Sequence, residues 1–370
     1  MNRLMWLAMS EKLSLKQRLG LELHRGVRHS DAQLHQLRTL FWECTLRCNM
    51  HCRHCGSDCK QDSLKPDMPA KDFLKAIDDI QPHVDPHHTF IIFTGGEALM
   101  RPDIEEVGLE LYRREFPWGM VTNGYLLTPQ RLESLMAAGM HSITVSLDGF
   151  EAEHNWIRQH DHSFERAEAA VKLLVKEKEL LWDIVTCVNP RSYPHLEEFK
   201  EYLIALGVPR WRVFTIFPMG RAANDPELQL CDEAFKGTLD FIERTRKEGR
   251  IEVNYACEGF LGPYEQRVRD HFFTCRAGVD VASVLVDGSI SGCTSIRSNF
   301  SQGNIYKDNL WEVWEQRFEK YRDRSWARKG QCEGCKVWRY CEGSGMHLYD
   351  ENENLLFCHY RRLGFGGKYA

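Results

Sequence analysis

The residues Cys48-Asn49-Met50-His51-Cys52-Arg53-His54-Cys55 decide the fold, because three cysteines follow the spacing C-x3-C-x2-C shortly after the apolar run Leu40-Phe41-Trp42. A [4Fe–4S] cluster is normally held by four cysteine thiolates. Three thiolates therefore leave one iron able to bind a small molecule, which makes such a cluster a reaction site. Zinc is the alternative on these eight residues, since His51 and His54 stand among the cysteines.

Composition narrows the class of protein. The chain has 370 residues, of which 43% are hydrophobic, enough for about two domains. Its 48 basic and 53 acidic residues give a net charge of −5, which offers no reason to expect a nucleic-acid partner. We find no signal peptide and no run long enough to span a membrane, and we expect a cytoplasmic protein. In that reducing compartment, 14 cysteines favour cluster or metal ligation over disulfides.

Strand and helix patterns alternate from about residue 38 to residue 220. The predicted strands are Leu40–Glu43, Thr89–Phe93, Gly119–Thr122, Ser142–Leu147, Ile184–Val188 and Arg212–Phe217. The predicted helices are 70–80, 103–114, 129–138, 164–178 and 195–206, with N-terminal caps at Asp103 and Thr128 and a stop at Gly207. Short connections imply a parallel α/β sheet, either open and doubly wound or an incomplete barrel. Both architectures place their chemistry at the carboxyl ends of the strands, where the cysteine motif lies.

The second strand ends in a glycine-rich motif, Phe93-Thr94-Gly95-Gly96-Glu97. Following C-x3-C-x2-C, this Gly-Gly-Glu resembles the radical S-adenosylmethionine (SAM) superfamily. The resemblance implies a partial (β/α)6 TIM-type barrel and a [4Fe–4S] cluster on Cys48, Cys52 and Cys55, whose open iron binds SAM. It also implies that an external flavodoxin- or ferredoxin-like donor reduces the cluster, and that SAM then yields a 5′-deoxyadenosyl radical that abstracts a substrate hydrogen.

The same resemblance suggests further contacts with SAM. Gly95, Gly96 and Glu97 are expected to hold its amino group, and three residues at or after later strand ends are expected to contact the rest of it: Asn123, Ser146 and Arg158. Each of these three could instead be a helix cap, a turn residue or a surface charge. Cys44 and Cys59 fall outside the motif's spacing and are interpreted as supporting or incidental thiols. No residue is singled out as a catalytic acid or base.

Six further cysteines lie in the last hundred residues. Cys275 precedes a predicted hairpin, Val281–Gly292, which turns at Asp287-Gly288 and is followed by Cys293. A helix is predicted from Leu310, and the remaining cysteines are Cys332, Cys335, Cys341 and Cys358. This spacing resembles the SPASM extension of radical SAM peptide and protein maturases, which carries auxiliary [4Fe–4S] clusters. A zinc ribbon would explain the last four cysteines but not the hairpin pair.

One cysteine of the SPASM pattern is missing, since Gly345 stands at its position. By the resemblance, Cys332, Cys335, Cys341 and Cys358 complete the second auxiliary cluster. The first keeps Cys275 and Cys293, with Cys257 as a further candidate. Three possibilities stay open for it: an open iron, a ligand other than cysteine such as His347, or no cluster. One or two auxiliary clusters are therefore expected.

The predicted organisation has four segments. Residues 1–36 form a helical segment, 37–225 the partial barrel, 226–270 a connecting helix and strand, and 271–370 the cysteine-rich SPASM domain. The leucines of the first segment predict an amphipathic helix packed on the barrel, with a membrane-surface or partner helix as the alternative.

The SPASM resemblance implies a peptide or small-protein substrate. Thr294 stands where sulfatase-maturing relatives carry an aspartate, which argues against that reaction. Segments around 14–18 and 41–59 resemble a radical SAM/SPASM group associated with small lipoproteins. Two alternatives remain: oxidation or rearrangement of a small molecule such as a tetrapyrrole or an alcohol, and a non-catalytic zinc or iron–sulfur binding protein.

Overall fold

A computed structural model describes residues 13–256 and 259–365, so Cys257 lies outside the described residues. Ten strands form one sheet. They are β1 Thr39–Thr45, β2 Phe90–Gly95, β3 Trp118–Thr122, β4 Met140–Ser146, β5 Leu181–Val188, β6 Arg210–Thr215, β7 Glu252–Tyr255, β8 Val281–Val284, β9 Ser289–Ser291 and β10 Gly303–Asn304. The helices are α1 Leu15–Leu34, α2 Ala70–Ile80, α3 Ile104–Arg113, α4 Pro129–Ala137, α5 Glu151–Arg158, α6 Ser163–Leu174, α7 Leu196–Leu206, α8 Asp232–Glu248, α9 Leu310–Arg317, α10 Glu319–Arg322, α11 Trp338–Cys341 and α12 His359–Arg362.

The sheet order confirms the predicted α/β class. Strands β1 to β6 lie side by side in chain order, all parallel, with helices between them. This is the arrangement that short right-handed βα connections produce. The two outermost strands, β10 and β7, do not pair with each other, so the barrel is incomplete.

Two strands beyond the predicted six extend the parallel sheet. Strand β7 pairs with β6, and β8, the first strand of the C-terminal hairpin, pairs in parallel with β1 from Thr39↔Val281 to Trp42↔Val284. The hairpin itself was predicted and is confirmed, with Gly288 at φ 83° in its turn and β9 antiparallel to β8. The cysteine-rich C-terminal region therefore shares a sheet with the barrel.

Stacked aromatic rings fill the core beneath the first three strands. Trp42 of β1 is fully buried and stacks on Phe73 of α2 at 4.2 Å between ring centroids. Phe93 of β2 bridges Trp42 and Trp118 of β3 at 5.4 and 5.0 Å. Such contacts add to the free energy of burial. They fix the spacing of the strand ends that carry the cysteine and glycine motifs.

Helix α1 packs on the C-terminal region. The prediction that it packs on the barrel is therefore wrong. Ser14 and Gln17 form a capping box at its start. Arg28 is buried and donates to the carbonyls of Arg339 and Tyr340 at 3.0 and 2.8 Å. The carbonyls at the end of a short helix attract a cation, which explains why the arginine lies on this face. Within the described residues, no helix combines the length and apolar character needed to cross a bilayer.

Candidate active site

The three motif cysteines lie in a largely buried loop after β1. We call residues 46–59 the cluster loop. Cys48 and Cys52 are only 8% and 7% exposed, and they pack with Cys55, Cys59 and Met50. Burial raises the pKa of Cys48 to about 12 and also raises that of Cys52. Bound iron would provide the positive charge that stabilises the thiolates in this apolar setting.

The spacing of the cysteines favours a cluster over a single zinc ion. A single metal ion needs its ligand atoms close together. Among the described residues, only His54, Asp148 and Cys187 bring three ligand atoms of His, Cys, Asp or Glu within 4.8 Å of one another. Ligands of one tetrahedral zinc, each about 2.3 Å from the metal, would fall within that limit. His51 is exposed. The motif cysteines are thus spaced too widely for zinc but fit a larger inorganic group.

Cys59, outside the motif's spacing, contacts a motif cysteine. Its backbone N–H donates to the sulfur of Cys55 at 3.5 Å, and the side-chain hydrogen bond between the two lowers the pKa of Cys55 to about 5. Cys59 is therefore a supporting thiol, because hydrogen bonds to ligand sulfur tune a cluster. Cys44 is different: it is buried in β1 and its thiol donates to the carbonyl of Thr94 at 3.2 Å.

Arg221, in the loop that follows β6, holds the cluster loop in place. Its Nε donates to the carbonyl of Cys52 at 2.7 Å, and its Nη1 donates to the carbonyl of Cys59 at 2.9 Å. Its backbone N–H donates to the carbonyl of Cys55 at 3.1 Å. The preceding Gly220 has φ 56° and lies so close that a Cβ there would be 2.5 Å from the Cys55 carbonyl. The position of Arg221 after the sixth predicted strand suggests a residue that lines the cavity, but no local motif predicts its bonds to the cluster loop.

The two glycines after β2 allow the backbone to cross the start of the cluster loop. A Cβ on Gly95 would lie 2.1 Å from the carbonyl oxygen of Thr45, and one on Gly96 would lie 2.1 Å from that of Arg47. Gly96 N–H donates to Thr45 at 2.7 Å, and Glu97 N–H donates to Arg47 at 2.9 Å. The motif therefore joins β2 to the cluster loop directly.

Glu97 and Asn123 meet beside the cluster loop. The Glu97 carboxylate is fully buried and accepts hydrogen bonds from the Leu99 N–H at 3.1 Å, the Thr122 hydroxyl at 2.7 Å and the Asn123 N–H at 2.7 Å. Burial raises its pKa. The Asn123 amide donates to Asn49 of the cluster loop at 2.8 Å. Glu97 and Asn123, both predicted to contact SAM, therefore lie together. Three hydrogen-bond donors of the protein itself already satisfy the Glu97 carboxylate.

A buried ion pair lies on the other side of the cysteines. Arg158, at the end of α5, donates through Nε to Asp148 at 2.6 Å, and its Nη1 lies 3.9 Å from the Cys52 sulfur. Despite burial, the guanidinium of Arg158 keeps the pKa of Asp148 low, at about 2. Ser146 is buried at the end of β4, two residues before Asp148. Asp148 was missed, although it belongs to the same Ser-Leu-Asp-Gly turn.

Four C-terminal cysteines line one cavity of about 400 Å³: Cys332, Cys335, Cys341 and Cys358. Burial, together with the neighbouring thiols of Cys358 and Cys335, raises the pKa of Cys332 to about 11. The cavity and its four sulfur donors fit the second auxiliary cluster.

The first auxiliary position holds fewer sulfur donors. Cys275 and Cys293 are neighbours, since burial and then the Cys275 thiol raise the pKa of Cys293. Met346 N–H donates to the Cys275 sulfur at 3.4 Å, which puts the preceding Gly345 beside this pair. The ring of His347 contacts Phe217, beyond the end of β6, at 4.7 Å. Of the candidates for a further ligand, Gly345 supplies none, the ring of His347 faces Phe217 and Cys257 lies outside the described residues.

Comparisons with known proteins agree with this geometry. Residues 42–216 match the radical SAM superfamily and residues 275–336 match the SPASM iron–sulfur cluster-binding domain. The chain is 28% identical to the AdoMet-dependent heme synthase of Methanosarcina barkeri, over 88% of this chain and 97% of that protein. It is 26% identical to the mycofactocin maturase MftC of Mycolicibacterium smegmatis, over 83% and 77%.

The fold is also that of a solved structure. Native anSMEcpe with bound AdoMet and the Cp18Cys peptide superposes with a TM-score of 0.69 at 20% identity, over 89% of this chain and 94% of that one. The cofactors are accordingly SAM and [4Fe–4S] clusters, and the chain is a radical SAM enzyme with a C-terminal SPASM domain.

Proposed function

We propose that this enzyme abstracts hydrogen from a side chain of a peptide or small protein. The observation that carries the proposal is a cavity of about 460 Å³ between the cluster loop and the C-terminal hairpin. Its lining is rich in hydrogen-bonding side chains: Glu43, Ser57, Lys65, Asp287, Ser289, Ser291, Arg297, Ser298, Asn299, Ser301 and Glu351. Such a wall suits the repeated N–H and C=O groups of a peptide better than an apolar macrocycle.

Two residues of this cavity support recognition of polar groups. Ser298 is only 8% exposed, and its hydroxyl has no hydrogen-bond partner among the described residues. A buried hydroxyl without a partner costs free energy unless a ligand satisfies it. Arg297 is anchored at 2.7 Å by Glu43, which lies five residues before Cys48. The cavity thus adjoins the strand end that leads into the cysteine motif.

The proposed roles around the cofactors follow from the contacts. Cys48, Cys52 and Cys55 hold the cluster; bound there, cluster and SAM supply a 5′-deoxyadenosyl radical. Residues proposed to border SAM are Gly95, Gly96, Glu97, Asn123, Ser146 and Arg158. Burial excludes water from these groups, which protects a radical from side reactions. Arg158 adds a positive charge 3.9 Å from the Cys52 sulfur, which favours reduction of a bound cluster.

The remaining proposals concern the auxiliary clusters, the electron donor, the cellular location and the domain organisation. Four cysteines, Cys332, Cys335, Cys341 and Cys358, are proposed to hold an auxiliary cluster, and Cys275 and Cys293 to contribute to another. The electron donor is proposed to be a flavodoxin- or ferredoxin-like protein, and the enzyme is proposed to work in the cytoplasm. The four segments 1–36, 37–225, 226–270 and 271–370 are kept as the proposed organisation.

A small-molecule substrate is the second candidate. A relative named AdoMet-dependent heme synthase aligns over 97% of its own length, and another is named Fe-coproporphyrin III synthase. The incomplete first set of auxiliary cysteines also favours it, because an open position can bind substrate directly.

Product formation distinguishes the two candidates. Reconstituted enzyme, reduced without oxygen, would be given SAM with either a pool of synthetic Ser-, Cys- and Tyr-containing peptides or iron coproporphyrin III. We expect only peptides to raise 5′-deoxyadenosine formation and to acquire a mass change. Stimulation by the porphyrin alone would select the second candidate. Enzyme lacking all three motif cysteines is the control, and Ser298→Ala should weaken peptide stimulation without changing unstimulated SAM cleavage.

A further inference from the structure

Exposed apolar side chains are concentrated on helix α1. Ten large hydrophobic side chains are exposed in the described part of the chain, and five of them belong to this one helix: Leu15, Leu19, Leu23, Val27 and Leu34. Leu15 and Leu23 are 75% and 74% exposed. Single exposed leucines are ordinary, whereas a contiguous set marks an interaction surface.

The exposed side chains form one continuous stripe. Leu15, Leu19, Leu23 and Val27 are spaced four residues apart, so they lie above one another on one face of the helix over about 18 Å. We call these four residues the leucine stripe. The opposite face is fixed: Leu21 is 2% exposed, and a Cβ on Gly20 would lie 2.8 Å from the ring of Phe272. The helix therefore cannot rotate to bury the stripe.

Cations accompany the leucine stripe. Lys16, Arg18 and Arg25 are exposed, and Lys16 and Arg18 form no ion pair within the described part of the chain. Arg25 lies 3.5 Å from Glu22. Although the whole chain carries a net charge of −5, the twenty residues of α1 hold four Lys or Arg against two Asp or Glu. Positive charge is thus placed beside the apolar surface.

The sequence before α1 has the same character. Residues 4–9 read Leu-Met-Trp-Leu-Ala-Met, between Arg3 and Lys12. Apolar residues, a tryptophan and flanking cations together are the composition of segments that lie at a membrane–water interface. A second copy of the chain fits less well, because two stripes placed face to face would bring like charges together.

We propose that the leucine stripe of α1 docks the enzyme on an anionic lipid surface. The leucines would enter the boundary of the acyl chains, while Lys16, Arg18 and Arg25 would contact lipid phosphates. Attachment through this helix face alone would be peripheral and reversible. The proposal does not depend on which substrate the enzyme modifies.

Vesicle co-sedimentation tests the proposal. Full-length holoenzyme would be mixed with phosphatidylcholine vesicles containing about 30% phosphatidylglycerol and with pure phosphatidylcholine vesicles. We expect binding to the anionic vesicles, at least several-fold weaker binding to the neutral ones, and loss of most binding in high salt. Leu19→Glu/Leu23→Glu should reduce binding more than about tenfold, because two buried leucines are lost. Leu64→Glu, at an exposed leucine outside α1, is the matched control and should bind as the wild type does.

Three results would overturn the proposal. The first is wild-type protein that stays in the supernatant with anionic vesicles. The second is a Leu19→Glu/Leu23→Glu variant that binds as tightly as wild type while keeping its melting temperature. The third is a wild-type dimer, by light scattering, that this variant converts to a monomer without any vesicle binding in either protein, which would assign the stripe to a second copy.

Discussion

At the scale of single residues, Glu97 shows how one side chain can serve both fold and site. Its carboxylate accepts three hydrogen bonds, from Leu99, Thr122 and Asn123, and so ties the ends of β2 and β3 together. Two of these donors are backbone N–H groups, which an amide nitrogen in place of a carboxylate oxygen cannot satisfy. The residue therefore has a structural role before any cofactor binds.

We expect Glu97→Gln to lower the free energy of unfolding by about 1–3 kcal/mol, since a buried donor is left unpaired. Urea unfolding of protein without SAM measures this change. Unchanged stability combined with weaker SAM binding would contradict it, because the carboxylate would then act on the cofactor alone. Ser134→Ala, on the exposed face of α4, is a control that should leave the unfolding free energy unchanged within about 0.5 kcal/mol.

Arg221 offers a second test at this scale. Arg221→Met removes the donors to the carbonyls of Cys52 and Cys59, and each hydrogen bond from a charged group contributes about 1.5–3 kcal/mol. The cluster loop should then hold its cluster less firmly, and iron per chain after reconstitution should fall toward the value of a variant lacking Cys48, Cys52 and Cys55. Arg212→Met, on β6 and paired with Asp183, should keep wild-type iron.

His154 makes stability depend on pH. Burial depresses its pKa to about 3 in the native protein, and its Nδ1 accepts the Asp148 N–H at 3.0 Å, which requires the neutral ring. Below a pH of about 6.5 the unfolded chain gains a proton that the native protein does not, so stability falls by about 1.4 kcal/mol per pH unit. Urea unfolding between neutral pH and pH about 5 should show at least this slope, since burial also lowers the pKa of His54, and His154→Gln should reduce the slope by about 1.4 kcal/mol per pH unit. Equal slopes in both proteins would contradict the assignment.

At the scale of elements, sequence patterns located the repeated units well. All six predicted strands occur within a few residues of their expected bounds, because each buried strand is a short apolar run between turn residues. The cap at Thr128 is confirmed, since its side chain accepts from Arg131 N–H. Asp103 is the N-cap residue of α3 as predicted, but its side chain makes no capping hydrogen bond and pairs with Arg101 at 2.6 Å. Helix α5 was missed entirely.

The pairing of β8 with β1 was not predictable, because it joins residues far apart in sequence. Glu43 of β1 makes contacts that this pairing brings about. It is 2% exposed and accepts hydrogen bonds from Arg297 at 2.7 Å and from the Val286 N–H at 3.2 Å. A carboxylate on an apolar strand gave no sign in the sequence of the arginine that would meet it. One ion pair thus links the first barrel strand to the cysteine-rich region.

A double-mutant cycle tests that link. Arg297→Met alone leaves a buried carboxylate without its cation and should lower the unfolding free energy by about 3–5 kcal/mol. Glu43→Gln alone removes the charge but not the hydrogen-bonding capacity and should cost less. In the double variant part of the loss should return, giving a coupling energy of about 1–3 kcal/mol in urea unfolding. Additive losses would mean that the two side chains do not interact.

At the scale of the whole molecule, the motifs indicated the chemistry and the structure supplies the connections between them. The spacing of Cys48, Cys52 and Cys55, and of Gly95 to Glu97, was enough to identify the family. Local spacing could not predict the contacts of Arg221 or Asp148, which lie in loops after other strands and act through tertiary contacts. It also left open whether the leucines of α1 pack on the barrel or face a membrane or partner, since amphipathic helices normally bury that face.

We expect the residue at position 345 to determine how many auxiliary clusters the whole molecule holds. Gly345 adjoins Met346, whose N–H contacts the Cys275 sulfur, and its φ of −72° is one that any residue adopts. A cysteine there needs no backbone strain and would restore the missing SPASM ligand beside Cys275 and Cys293. We therefore expect reconstituted wild type to hold about eight iron per chain and Gly345→Cys to hold about twelve.

Ser344→Cys is the matched control, since it adds the same thiol one residue earlier, at a buried position whose carbonyl accepts from Arg324. It should stay at the wild-type iron content, because the backbone of Ser344 is left-handed, with φ 70°, and that of residue 345 is extended, so their side chains point in different directions. About twelve iron in wild type and in both variants would mean that Cys275 and Cys293 recruit their other ligands elsewhere in the chain. The missing cysteine would then have opened a coordination position on an existing cluster without removing the cluster.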